Sequence, residues 1–266
     1  DVRNEMSFLL LYSLVSSIAL IWLGWRLLSL RARRKNRFVL GAWPVQTVGL
    51  ASFDPVFGAT EFGPGLDGEV RFVSQGDAPA VGGTSDLETW VLSVLAKDRK
   101  AIFEFGTCTG KTTYHLARNS SAETRVITLT LPPEGHQAYQ DDGMDDREHT
   151  GIALRESRFS RFLYTGTDAE AKIEQLYGDS KSFDVTPWTG SCDLIFIDGS
   201  HAYSYVVSDT EKALAMLKPG GIVLWHDYRP KVPGVFRYLN ELSKQLPLVH
   251  LARTSLVAYR KPAEAP

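Results

Sequence analysis

The stretch "FEFGTCTGKTTYHLA", Phe103–Ala117, decides how this chain folds. An apolar run ends in a glycine-threonine loop, and the loop opens into a helix-like segment. Its Gly-Lys-Thr ending invites comparison with the phosphate loop of nucleotide hydrolases. That loop needs four residues between its glycines, because the nest of backbone N–H groups that cradles phosphate depends on loop length. Here only Thr107, Cys108 and Thr109 separate Gly106 from Gly110. The dinucleotide pattern G-x-G-x-x-G also fails, since position 108 is cysteine. What remains is acidic-x-Gly-x-x-x-Gly, carried by Glu104, Gly106 and Gly110.

Outward from this loop, strands and helices alternate. Ser85 followed by Glu88 is a capping-box pattern, and Leu87, Val91, Leu92, Val94 and Leu95 follow at helical spacing. Ala101–Phe105 reads as the first strand. Arg125–Thr130, Ile173–Tyr177, Asp193–Asp198, Gly221–Asp227, Leu248–Leu251 and Ser255–Arg260 read as further strands. Tyr205–Leu217 and Val235–Gln245 read as helices. "DLIFID" is almost wholly apolar, as expected of a central parallel strand buried on both faces. The alternation predicts an open, doubly wound α/β sheet, whose ligands bind beyond the carboxyl ends of the strands. Residues 134–160 are polar and include "QDDGMDDREH"; they read as a mobile loop, and the polar segment 134–168 is long enough to act as a lid or substrate loop.

The flanks differ in character. Met6–Trp25 carries no charge over a length that spans a hydrocarbon core as a helix. Arg26, Arg31, Arg33, Arg34, Lys35 and Arg37 follow it. Residues 1–37 are therefore expected to be a single-pass transmembrane anchor, with the remaining chain facing the cytoplasm. Residues 38–83, rich in Gly and Pro, read as a linker with one or two short strands such as Glu69–Val73. The main domain is expected over 84–262. A net charge of −2 gives no bulk basic field for nucleic acid. Cys108 and Cys192 lie far apart without CxxC spacing, and read as free thiols. Oligomeric state leaves no mark in the sequence.

The glycine loop resembles the first motif of class I S-adenosylmethionine-dependent methyltransferases. The resemblance covers roughly residues 84–260. It implies a Rossmann-like, mostly parallel sheet of seven strands and S-adenosylmethionine as cofactor. Glu104, Gly106, Thr107, Cys108 and Gly110 would wall the methionine portion. Thr130 stands where the family usually places a ribose-binding acid. "YGDS" resembles the adenine-contacting turn and brings in Asp179 and Ser180. Lys111 has no pyrophosphate to neutralise and reads as a solvated first-turn lysine.

"FIDGSHAYSYVVSDTEKAL" and "LKPGGIVLWHDY" resemble a subgroup that includes metal-dependent sugar O-methyltransferases and cephalosporin-hydroxylase-like proteins. Neighbouring strand ends about 5 Å apart bring Asp198 and Asp227 together, with His201 above them. His201 is the expected general base, with Asp198 its catalytic partner and also a cofactor contact. Asp198, Asp227 and His226 form a candidate site for Mg²⁺, or with the nitrogen ligand for another divalent cation such as Mn²⁺ or Fe²⁺. The alternative is that the metal is lost and His226 acts as an acid/base or substrate contact. The function expected is methyl transfer to a hydroxyl of a small molecule or glycan. A non-catalytic binding or scaffold protein on the same fold is the alternative, motivated by Thr130 and His226.

Overall fold

The computed structural model describes residues 2–35, 44–61, 63, 64, 68–71, 83–140, 142, 143, 145 and 147–263. The chain divides into two compact units, Asp1–Trp43 and Pro44–Pro266.

The first unit holds helix α1 (Val2–Lys35). Its side chains are described from Tyr12 to Leu28, and Leu14, Ile18, Ile21, Trp22 and Trp25 are exposed. Among the described residues no helix is long and apolar enough to cross a membrane. The transmembrane anchor expected over Met6–Trp25 is therefore not found. Helix α1 itself runs 34 residues, and its side chains are described over Tyr12–Leu28 alone. Met6–Leu11, the rest of that expectation, lies outside the described side chains.

The second unit runs β1 (Gln46–Val48), α2 (Leu50–Phe53), β2 (Ala59–Thr60), β3 (Gly63–Pro64), α3 (Asp86–Ala96), β4 (Ala101–Phe105), α4 (Lys111–Asn119), β5 (Arg125–Thr130), α5 (Arg147–Glu156), β6 (Ile173–Tyr177), β7 (Cys192–Ile197), α6 (Tyr203–Met216), β8 (Leu217–Trp225), α7 (Pro233–Leu242), β9 (Val249–Leu251) and β10 (Val257–Arg260). The main sheet has eight strands in the order β1-β9-β10-β8-β7-β4-β5-β6, not the expected seven. The eighth is β1, from the stretch expected as linker, which pairs parallel with β9. The sheet is mixed because β10 runs antiparallel to both β8 and β9. The doubly wound part, β8-β7-β4-β5-β6, is parallel throughout. Glu69–Arg71 is irregular rather than a strand, and the rest of that expected strand lies outside the described residues.

Burial explains the parallel strands. Ile102, Val126, Leu194, Phe196, Ile222 and Leu224 share one cluster with Leu92 and Leu95 of α3 and Leu116 of α4. The alternate residues Phe103, Ile127, Ile195 and Val223 are equally buried. Each such side chain contributes about 1.5–3 kcal/mol on leaving water. The capping box predicted for α3 is present: Ser85 and Glu88 cap each other.

The segment expected as a mobile polar loop is partly helical, through a short 3-10 turn (Gly135–Ala138) and α5. Its few apolar residues gave little periodicity. Within the helix His149 is buried, and so is Ser157 just beyond its end.

Candidate active site

The carboxyl ends of β4, β5, β6 and β7 open into one cavity. It is lined by Gly106, Cys108, Thr130, Asp179, Ser180 and Asp198, all predicted cofactor residues. Gly106 adopts φ 99°, and a β-carbon there would stand 2.2 Å from the carbonyl oxygen of Asp198. Glycine is thus demanded by the neighbouring strand end, so that the β4 and β7 loops can share one wall.

Glu104 is fully buried beneath this wall. Thr128 Oγ1 donates to its Oε2 over 2.7 Å and Thr113 donates to the same oxygen, while Oε1 has no partner. Burial pushes its carboxyl up to about 8, against the two threonine hydrogen bonds and helped by the charge of Asp198. Asp179 Oδ2 is likewise buried without a partner. Two buried acceptors left open beside or within one cavity fit a ligand carrying N–H or ammonium donors, as the amino-acid and adenine ends of S-adenosylmethionine do. Burial drives the Cys108 thiol up to about 12, with Glu156 and Asp198 adding to the effect, so Cys108 is a neutral wall residue.

Some predicted residues play other parts. Thr107 Oγ1 shares a 2.8 Å hydrogen bond with Thr128 and accepts from Gln175, so its side chain serves the protein interior. Gly110 does not line the cavity: a β-carbon there would meet the Tyr164 ring at 2.8 Å, so it serves packing. Lys111 is not solvated. It is 2 % exposed and donates to the Thr84 carbonyl over 2.9 Å, tying α4 to the residue before α3.

The histidine and carboxylate cluster stands at the ends of β7 and β8. His201 Nε2 lies 3.4 Å from Asp227 Oδ2 and 4.0 Å from Asp198 Oδ1. His226 Nδ1 donates to Asp198 Oδ1 over 2.9 Å, and its Nε2 faces Glu88 Oε2 at 3.4 Å. Asp227 sits in the left-handed region, φ 58°, a strained backbone for a non-glycine residue. Burial opposes charge on His201, yet Asp198 and Asp227 outweigh it and hold the imidazole pKa above its ordinary value. The same contest raises His226 well above the ordinary range. Burial also opposes ionisation of Asp198, but the two histidines win and keep its carboxyl below the usual value.

A divalent cation held by Asp198, Asp227 and His226 does not fit this arrangement. Both edges of the His226 ring face carboxylates, and Nδ1 itself lies 2.9 Å from Asp198 and 3.8 Å from Asp227. A metal ligand needs a nitrogen lone pair, whereas a carboxylate accepts only from N–H. Among the described residues no group of three or more His, Cys, Asp or Glu side chains is placed to hold a metal ion.

Sequence reasoning missed several neighbours. Glu88, legible only as a helix cap, is buried against His226 and Ser255. Glu156 and Ala153 of α5 line the cavity, as does Tyr139, whose hydroxyl meets Ser200 Oγ at 2.7 Å. Asp209, one helical turn beyond Tyr205, is buried at the cavity with neither carboxylate oxygen partnered. Burial pushes it up to about 7. Glu88 left a signal, the capping box, that named a different role, and Tyr139, Ala153 and Glu156 fall in the polar segment read as a lid.

Residues 103–228 match the family model described as a methyltransferase domain. No curated protein matches the chain. Among solved structures, the O-methyltransferase TomG from Streptomyces achromogenes, in complex with SAM, aligns at 19 % identity over 68 % of this chain and 82 % of that one, with a TM-score of 0.46. Cofactor-bound Rv0187 from MTB aligns at 17 % identity over 70 % and 84 %, with a TM-score of 0.47. A methyltransferase from Geobacter sulfurreducens aligns at 17 % identity over 66 % and 78 %, with a TM-score of 0.42. The family match runs from the glycine-loop strand to the strand end that carries His226 and Asp227, so residues 103–228 are similar to a methyltransferase domain.

Proposed function

We propose that this methyltransferase acts on a hydroxyl group of a small molecule or glycan, with His201 as general base. One observation carries the reading: His201 faces Asp227 and Asp198 at 3.4 and 4.0 Å, while Asp198 also lines the cofactor cavity. S-adenosylmethionine supplies an electrophilic methyl group. An alcohol oxygen is a poor nucleophile until its proton leaves. His201 takes that proton, and Asp198 and Asp227 stabilise the imidazolium that forms. Glu104 and Asp179 offer their open carboxylate oxygens to the donor groups at the two ends of the ligand. No step is assigned to a metal ion.

Calorimetry with S-adenosylmethionine tests the cofactor half of the proposal, and absence of binding favours the scaffold alternative. A screen of hydroxylated metabolites and glycans with a labelled methyl donor tests the other half. Label appearing on nitrogen rather than oxygen overturns the assignment of the acceptor.

The proposal extends to location at the cytoplasmic face of a membrane. It is supported by the exposed apolar side chains of α1 and by the basic residues Arg26 to Arg37 that follow. Fractionation of the full chain tests it: recovery in the soluble fraction alone overturns it.

A further inference from the structure

The carboxylate of Glu88 serves two ends. Its Oε2 accepts from the backbone N–H and hydroxyl of Ser85 over 2.8 and 2.7 Å, closing the cap of α3. Its Oε1 accepts from the backbone N–H and hydroxyl of Ser255 over 2.5 and 2.8 Å. With both oxygens so fixed, Oε2 stands 3.4 Å from His226 Nε2, and the two side chains are 1 % and 3 % exposed. On the opposite edge of the ring, Nδ1 donates to Asp198 over 2.9 Å and lies 3.8 Å from Asp227. The file Glu88–His226–Asp198 therefore runs from the start of α3 to the wall of the cofactor cavity.

Three carboxylates meet one ring here, with His201, Glu156 and Arg229, whose Nε lies 3.5 Å from Asp227 Oδ1 on the side away from the ring's contact with Oδ2, as the other charged or titratable neighbours. Buried carboxylates are costly unless a cation or N–H donor answers them. The position between Asp198 and Asp227 is the one the resemblance assigns to a metal. In this chain the ring edge of His226 already fills it, and Glu88 fixes which way the ring faces.

We propose that Glu88 is a positioning residue that holds His226 as a doubly hydrogen-bonded imidazolium, and that this ring is the resident cation between Asp198 and Asp227 in place of a metal ion. The proposal rests on the methyltransferase reading for its catalytic meaning. Its structural content stands apart. The ring supplies a fixed positive charge that orients Asp198 toward the cavity and His201, and methyl transfer proceeds without a divalent ion.

Nuclear magnetic resonance on the full chain, labelled with ¹⁵N-histidine, tests this. His226→Gln identifies the His226 signals by their loss. The expected result is two ring N–H signals from His226 at neutral pH. Manganese chloride should leave both unbroadened, and turnover after chelator treatment should equal that before it. Glu88→Gln should remove the Nε2–H signal and lower kcat by about tenfold with the KM for S-adenosylmethionine unchanged, as loss of an orienting partner does. Glu88→Asp should restore part of the rate. A single ring N–H, selective broadening of His226 by stoichiometric Mn²⁺, chelator-sensitive turnover restored by a metal, or a wild-type rate in Glu88→Gln each overturns the proposal. The ring and manganese readouts use the unaltered chain, so they decide the matter even if Glu88 variants fail to fold. Failure to bind S-adenosylmethionine would remove the methyltransferase reading while leaving those two readouts as they stand.

Discussion

The carbonyl of His201 lies directly against Gly234: a β-carbon at that glycine would stand 2.2 Å from the carbonyl oxygen. Gly234 is in the first turn of α7, where alanine is conformationally welcome, so the clash is the whole cost of substitution. Gly234→Ala must displace the loop that carries His201. Turnover should fall by about 10²-fold, the scale of a 1 Å misplacement of a reacting group. Affinity for S-adenosylmethionine should fall far less than turnover by calorimetry, because Asp198, Gly199 and Ser200 are the part of the cofactor wall on that loop and the rest stands on other strand ends. Unaltered turnover would show that α7 does not set the position of His201.

Removing the imidazole tests the base itself. His201→Ala should bind S-adenosylmethionine normally and lose about 10²–10⁴-fold in kcat, the usual worth of a positioned base. The pH profile carries a sign. A base works in its neutral form, and the neighbouring carboxylates raise the pKa of His201 above its ordinary 6.5. The kcat/KM profile should therefore climb with pH through a value above 6.5, and His201→Ala should lack that limb.

Glu104 offers a stability test with a definite direction. Its folded pKa, about 8, lies above the ordinary 4.5, so the folded protein binds the extra proton. Its stabilising contribution is complete below pH 4.5 and is lost as pH rises toward 8. Glu104→Gln removes the ionisation and should stabilise the cofactor-free protein near pH 8 by on the order of 2 kcal/mol, with little gain near pH 5. The same variant should bind S-adenosylmethionine more weakly. Denaturant melts at the two pH values read the first effect and calorimetry the second.

Lys111 separates a structural lysine from a phosphate ligand. Its ammonium is buried against the Thr84 carbonyl at 2.9 Å. Lys111→Met should cost about 1.5–3 kcal/mol, the range for a hydrogen bond to a charged group, and leave cofactor affinity intact. Tight Mg-ATP binding abolished by that change would revive the phosphate-loop reading.

Much of the parallel sheet was legible. The apolar runs at 101–105, 125–130, 173–177 and 192–197 are strands because such runs, buried on both faces, have no other economical conformation. The cofactor loop was legible because a three-residue spacing between glycines excludes other nests. Less was legible wherever stability comes from partners remote in sequence. Strand β1 pairs with β9 across about two hundred residues, and nothing local in Gln46–Val48 announces it. Helix α5 lies in a polar segment with few apolar residues, and His149 within it is buried against the rest of the fold. The reading of Met6–Trp25 as a membrane span drew on hydropathy alone, and among the described residues no helix is long and apolar enough to cross a membrane.

The sequence by itself determined the residue types of the site and the strand ends on which they stand, because strand alternation and glycine spacing are local properties. Only the tertiary structure decided what those residues do to one another. Asp198, His226 and Asp227 read along the chain as a metal triad, whereas in space Glu88, 138 residues before His226, turns the imidazole edge-on between carboxylates. Lys111 read as solvated and is buried. Thr107 and Gly110 read as ligand wall and instead serve the interior. In each case the deciding quantity is the direction in which a side chain points within the packed fold, and direction is set by neighbours that no local pattern of residues can name.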